Sequence, residues 1–283
     1  MKIKAYDIFG ASLLALFVAG VVFAPPVEAR KTISENHYSV HIIFGQSNAV
    51  GAGTDASELP FSPTDEQTKF YYYFKPIANS GGKIINLQSQ KLDAEGSKMV
   101  FGPEVGLARS FYDEGINNIF IIKVARGATS MYEHWNPDNG TLYNSFIEEM
   151  DNALAQLEAE GYTYTINAFY VMQGEADTKT LESARAYKTN LRNFIRAVRQ
   201  HFNKPRLSFV IGRINDPKAD AWNRELVRLA QEYLSTNMRK VTLVDTDSFS
   251  LADKVHYDSP SQLLLGQMFA DAVLSDMKRI YLR

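Results

Sequence analysis

The sequence predicts a three-layer α/β/α sandwich built on a central parallel sheet of about five strands. Two observations carry this expectation. Short apolar runs alternate with longer stretches of helical periodicity along most of the chain. Polar residues with chemical potential stand directly after three of those runs, where an open parallel sheet places its sites.

Taken in order, the first strand is expected at residues 38–44, a run rich in Tyr, Val, Ile and Phe. Residues 54–100 read as an irregular polar loop containing Pro60, Pro63, Gly81 and Gly82. A loop of that length in a compact domain marks a functional or mobile segment. Within it, Tyr71, Tyr72, Tyr73 and Phe74 read either as a short extra strand or as a wall of the site. Gly102-Pro103-Glu104 starts a helix, with proline at the first helical position and glutamate at the positive end of the dipole. Val105, Ala108 and Phe111 share one side of it, and Gly115 ends it. A second strand follows at 118–124. The helix at 145–160 buries Phe146, Ile147, Met150, Leu154 and Leu157 and stops at Gly161. The third strand is expected at 165–172, and the next helix at 181–202 with Leu191, Phe194, Ile195 and Val198 inward. A fourth strand at 207–211, a helix at 222–234 and a fifth strand at 241–244 complete the alternation. Ser259 reads as an N-cap and Pro260 as the first residue of the last helix.

The N-terminus stands apart. Lys2 and Lys4 precede an apolar stretch at residues 8–24, Pro25 and Pro26 break it, and Val27-Glu28-Ala29 offers small residues for a peptidase. Residues 1–29 are therefore expected to be a secretory signal peptide, with export to the periplasm or beyond. The alternative is an uncleaved anchor, because the apolar stretch is slightly long for a signal. Residues 30–283 then form a single domain of ordinary size for an α/β protein. A formal net charge of −2 suggests neither nucleic acid nor an anionic membrane as partner, and no stable membrane association is expected once the leader is removed. The absence of cysteine excludes disulfides, thiolate metal sites and cysteine nucleophiles.

Three groups of residues could carry chemistry. Ser47, in Gly45-Gln46-Ser47-Asn48, follows the first strand, where a sharp turn would present its hydroxyl at the sheet edge. It is equally placed to cap a helix. Ala49 stands where the Gly-x-Ser-x-Gly elbow needs its last glycine, which argues against the α/β-hydrolase fold. Asp253 and His256 lie three residues apart, so the carboxylate can fold back on one imidazole nitrogen and leave the other for a proton. A surface histidine beside a solvated aspartate is the bland alternative. For an oxyanion, the Ser47 backbone N–H, Gly127 and the Gln173 amide are the candidate donors. Taken singly, Gly127 also reads as a turn glycine and Gln173 as a polar strand-end residue. No His/Asp/Glu cluster has metal-ligand spacing, and no cofactor is expected.

Together, Gly45-Gln46-Ser47-Asn48, Gly102-Pro103-Glu104, Gly127-Ala128-Thr129-Ser130 with Trp135 downstream, Gln173-Gly174-Glu175-x-Asp177 and Asp253-x-x-His256 resemble the sialate O-acetylesterase-type branch of the SGNH hydrolases. Carbohydrate esterase family six, which includes acetylxylan esterases, belongs to that branch. The resemblance runs from about residue 40 to the last helix and implies a flavodoxin-like sheet. It implies Ser47 as nucleophile, His256 as general base and Asp253 as its orienting acid. It also implies an oxyanion hole completed by Gly127 and Gln173, the glutamine replacing an asparagine of other SGNH enzymes. Asn48, Asp177 and Thr129 are expected to support the site or contact substrate. Glu175 is expected to brace it by hydrogen bonds or to modulate His256, and Trp135 to stack on a sugar face. Two departures stand out: Ala128 occupies the place of a second glycine, and Val171-Met172 stands where an aromatic residue is common.

The expected activity is an exported serine esterase that removes O-acetyl groups from sialic acid, xylan or a related glycan through an acetyl-enzyme. A lipid or thioester hydrolase on the same fold is the first alternative, although the polar segment 54–100 does not suggest a wide acyl groove. A glycan-binding protein on an inactive scaffold is the second; intact Ser47, Asp253 and His256 speak against it.

Overall fold

The structure, a computed structural model, describes residues 36–62, 64–73, 82–92 and 98–281. The expected leader at 1–29 lies outside them. The central strand is β1 (His37–Gly45), buried throughout from Ser39 onward. A strand covered on both faces needs no alternation of polar and apolar residues, which is why its sequence reads as one apolar run. It pairs in parallel with β6 (Ile119–Ala125) on one side and β7 (Thr163–Met172) on the other. Beyond β6 come β2 (Asp65–Tyr73) and β3 (Ile85–Leu87); beyond β7 come β8 (Ser208–Gly212) and β9 (Val241–Val244). Among the described residues the sheet has seven strands in the order β3-β2-β6-β1-β7-β8-β9, and of these β3 alone runs antiparallel, against β2. A small separate ribbon pairs β4 (Gln90–Lys91) with β5 (Met99–Val100).

The sheet is thus larger than the sequence suggests. Tyr71, Tyr72 and Tyr73 of the aromatic run close β2, a full parallel strand against β6, while Phe74 lies outside the described residues. Phe70, Tyr71 and Tyr72 are buried on both faces, so no period-2 signal announces them.

Helices cover both faces. On one side Phe44 of β1 meets Phe146 of α3 (Tyr143–Ala159) and stacks on Phe194 of α4 (Leu181–His201) at 4.5 Å. Gln231 of α5 (Ala221–Asn237) bonds Tyr187 of α4 on the same side. On the other side His41 packs on Phe111 of α2 (Pro103–Asp113), and Tyr170 stacks on Phe269 of α6 (Ser259–Tyr281). Aromatic pairs in offset or edge geometry contribute beyond the area they bury. The cap of α6 differs from expectation. Asp258 accepts from the Ser261 N–H, while the Ser259 hydroxyl accepts from the Asp55 N–H and so ties the helix to the segment after β1.

His41 is fully buried, with its two ring nitrogens bonded to Ser39 Oγ at 2.7 Å and Tyr170 Oη at 2.8 Å. Burial pushes its pKa down from 6.5 to about 3. Above pH 6.5 the ring is neutral in folded and unfolded chains alike, and its contribution is fully present. Between there and about 3 only the unfolded chain takes up the proton, so stability falls by up to about 1.4 kcal/mol per unit. The urea midpoint is expected to drop over this window, and a His41→Gln chain, which cannot titrate there, to show a shallower slope; identical slopes would remove His41 as the cause.

Candidate active site

β6, β1 and β7 lie side by side and end level. Gly45 is in register with Ala125 and with Met172. The residues that follow these strands therefore converge on one rim. Gly45 makes the approach possible: its φ is +155°, and a Cβ there would lie 2.0 Å from the Met172 carbonyl oxygen. The chain then turns into a four-residue helix, α1 (Ser47–Val50), whose turn is closed by Ala49 and Val50 N–H groups donating to Gln46 O. Ser47 is partly exposed at the start of this turn while Gln46 and Asn48 on either side are buried. Among the described residues, neither the Ser47 hydroxyl nor the Ser47 backbone N–H has a hydrogen-bond partner, and the Gly127 N–H has none either. The two strand ends bring Gly127 against Ser47: a Cβ built on the glycine would lie 3.7 Å from Ser47 Cβ. Two uncommitted N–H groups beside a partly exposed hydroxyl form the arrangement that an oxyanion hole needs.

Asn48 is the hub. Its side-chain N–H groups donate to Glu175 Oε1 at 2.7 Å and to the Val255 carbonyl at 3.1 Å, and its side-chain oxygen accepts from the Tyr257 N–H at 3.0 Å. Its own carbonyl accepts from the buried Gln262 amide of α6. The residue after Ser47 thus holds both neighbours of His256. Gly53 completes the contact, since a Cβ there would stand 2.8 Å from His256 Cβ.

Asp253 holds the imidazole. One carboxylate oxygen takes the backbone N–H groups of Val255 and His256, and the other bonds His256 Nδ1 at 2.7 Å. Partial burial raises the carboxyl pKa, but these hydrogen bonds outweigh it and hold it at about 2. The aspartate is therefore ionised at neutral pH and fixes which ring nitrogen is left for other work. The loop is anchored from behind by Tyr257 Oη, which donates to Thr246 Oγ1 at 2.9 Å.

Several expected roles change. Gln173 is fully buried, and its amide donates to the Thr129 carbonyl at 3.1 Å and to Asp177 at 2.8 Å. Both amide hydrogens are spent, so Gln173 is not an oxyanion donor here. It braces the Gly127 loop instead. Trp135 is only 2 % exposed, edge-on to Phe44 at 4.9 Å, with its indole N–H on Thr129 Oγ1. Neither ring face is open to a sugar. Thr129 is equally buried and ties the loop together by donating to the Arg126 carbonyl. Asp177 is fully buried and accepts the Met131 and Tyr132 N–H groups as well as the Gln173 amide. Burial pushes its pKa up, those hydrogen bonds oppose it, and it lies at about 7. Glu175 is a brace bonded to Asn48, and its other oxygen has no partner among the described residues; burial raises its pKa. Since His256 Nδ1 is taken by Asp253, Glu175 acts on the imidazole only through space. Ala128 has φ +59°, the left-handed region that favours glycine, which explains why a second glycine suits that place.

Lys123 is a residue that sequence reasoning does not single out. It lies in the middle of β6, fully buried, with its ammonium 2.8 Å from the equally buried Glu104 of α2 and 3.2 Å from the Val50 carbonyl that ends α1. Glu104, expected at the helix dipole, uses its Oε1 to accept from Lys123 and from the Gly102 N–H. A lone cation in an otherwise apolar strand is the available signal. Among the described residues no group of three or more His, Asp or Glu side chains could hold a metal ion.

No curated protein sequence matches the chain. A solved protein from Arabidopsis thaliana shares the fold with a TM-score of 0.67 and 22 % identity, over 85 % of this chain and 98 % of its own. NanS aligns with a TM-score of 0.66 and 16 % identity, over 88 % of this chain and 100 % of its own. A carbohydrate acetylesterase from Xanthomonas citri aligns with a TM-score of 0.57 and 14 % identity, over 83 % of this chain and 55 % of its own. At these identities the likeness is one of fold. The sequence itself matches the family described as carbohydrate esterase, sialic acid-specific acetylesterase, over residues 37–275. The chain belongs to that family of carboxylic ester hydrolases.

Proposed function

We propose that this carbohydrate O-acetylesterase works through Ser47, His256 and Asp253 and acts outside the cytoplasm on an acetylated sialic acid, xylan or related glycan. The observation that carries the reading is the clamp of Asn48 on both neighbours of His256. It ties the imidazole loop to the residue next to the hydroxyl. In this reading His256 Nε2 takes the Ser47 proton as the oxygen attacks the acetyl carbonyl. The Ser47 and Gly127 N–H groups receive the oxyanion, each such donor lowering the barrier by roughly 3–4 kcal/mol. The protonated imidazole passes its proton to the leaving sugar hydroxyl, and the same groups run in reverse when water releases acetate. Asp253, ionised throughout, stabilises the imidazolium. Export rests on the composition of residues 1–29.

The test is acetate release from a panel of acetylated sialic acids, xylans and other glycans beside long-chain acyl esters. Acetylated sugars are expected to exceed the long-chain esters in kcat/KM by at least about tenfold, since each misfit methylene group costs about 1–3 kcal/mol. The reverse order would mark a lipid hydrolase and end the proposal.

A further inference from the structure

The outer surface of α4 and α5 carries charge that the catalytic site does not use. Arg185, Lys188, Arg192 and Arg196 recur at three- and four-residue spacing, so they share one side of α4. Among the described residues none of the four is in an ion pair or hydrogen bond. Of the carboxylates on these two helices, Glu182 is taken by the Tyr132 hydroxyl and Glu232 by Arg213, which leaves Glu225 against four cations. This local excess stands on a chain whose formal net charge is −2.

An apolar ridge runs beside the cations. Trp222 is 63 % exposed, Leu229 50 % and Tyr233 45 %, and all three lie on one side of α5. Stripe and ridge adjoin, because Lys188 Nζ sits 4.7 Å from the Tyr233 ring centroid and the Arg192 guanidinium 5.8 Å from it. The ridge starts near the site elements: Trp222 lies in the first turn of α5, and its neighbour Asn223 donates to the Thr178 carbonyl in the turn that carries Glu175.

We propose that this face is an accessory binding surface for a carboxylate-bearing polysaccharide, with the aromatic ridge taking the C–H faces of sugar rings and the cations taking the carboxylates. The inference rests on the glycan-esterase reading and extends it from the reacting sugar to the chain that holds it. The occupant follows from chemistry. Guanidinium groups pair with carboxylates in two-point geometry, and an exposed indole offers a flat apolar plate with little entropy to lose. The cations span about 16 Å of helix, a length suited to several residues of a chain. A membrane fits less well: Leu226, between Trp222 and Leu229 on the same side, is partly buried against the core, so the exposed apolar side chains stand roughly 6–10 Å apart along the helix.

The experiment reads binding without catalysis. Full-length Ser47→Ala protein is run by affinity electrophoresis through polygalacturonate, neutral dextran and no polymer. Polygalacturonate is expected to retard it, dextran not, and about 0.5 M salt to release it, because screening then acts within a few ångströms. Combining Arg185→Gln, Lys188→Gln, Arg192→Gln and Arg196→Gln is expected to weaken binding at least about tenfold, and Trp222→Ala alone severalfold. With Ser47 intact, the fourfold variant should hydrolyse p-nitrophenyl acetate at the parent rate. No retardation, or equal retardation of parent and both variants, overturns the proposal. So does charge-dependent binding to phosphatidylglycerol vesicles without binding to polygalacturonate, which would give the face to a membrane. Because the Ser47→Ala chain has no turnover to lose, none of these results depends on the esterase assignment. That assignment fails separately, if Ser47→Ala still hydrolyses acetate esters.

Discussion

Ser47→Ala is expected to cut hydrolysis of an activated acetate ester by about 10⁴- to 10⁶-fold in kcat, the range that removal of a serine nucleophile costs in this chemistry. The same substitution should leave the urea midpoint where it was. The Ser47 hydroxyl makes no hydrogen bond among the described residues, and the turn is held through the backbone carbonyls of Gln46, Ser47 and Asn48, which accept from Ala49 and Val50, from Gly51 and Ala52, and from the Gln262 amide. Asp253→Asn should cost about 10⁴-fold, because an amide can turn its N–H toward His256 Nδ1 and favour the wrong tautomer. Steady-state rates on purified chains with matched circular dichroism decide both. Parent-like turnover in the serine variant would leave the hydroxyl without a role, and parent-like turnover in the aspartate variant would give the imidazole another anchor.

Lys123→Met is expected to be the most damaging substitution for stability, at about 3–5 kcal/mol. The lysine and Glu104 are both fully buried, and the variant would leave the carboxylate with one backbone N–H in place of a counter-charge. The double variant Lys123→Met with Glu104→Gln should recover much of this loss, since a buried pair replaced as a unit often costs little. Chemical denaturation of the two singles and the double gives the coupling directly. A loss below about 1 kcal/mol in the single lysine variant would mean that water reaches the pair, contrary to its burial. Activity should fall with stability in the lysine variant, because its ammonium also holds the Val50 carbonyl at the end of the nucleophile turn.

Much of this architecture is legible in the amino-acid sequence. The alternation of apolar runs and helical stretches announces a parallel sheet, and the motif order announces the family. The exceptions have physical reasons. β2 is only half legible, as one of two readings of residues 71–74, because an aromatic run buried on both faces has no period; Lys123 stands out as a cation in an apolar strand, but its counter-charge Glu104 lies on another element that only the fold brings to it. Trp135 and Gln173 are expected on the substrate side because residue type says what a side chain can do, not which way it points. Both point inward, and with Thr129 and Asp177 they build the frame of the Gly127 loop.

Layer order, family and the chemistry available at the rim follow from the chain alone, because hydrophobic period and short motifs are local properties. Which polar groups remain free is a matter of long-range folding. Hydrogen-bond donors are exhausted by partners that lie far apart in the chain, as Gln173 is by the Thr129 carbonyl. The Ser47 and Gly127 N–H groups stay uncommitted because β1 and β6 end level and nothing among the described residues reaches them.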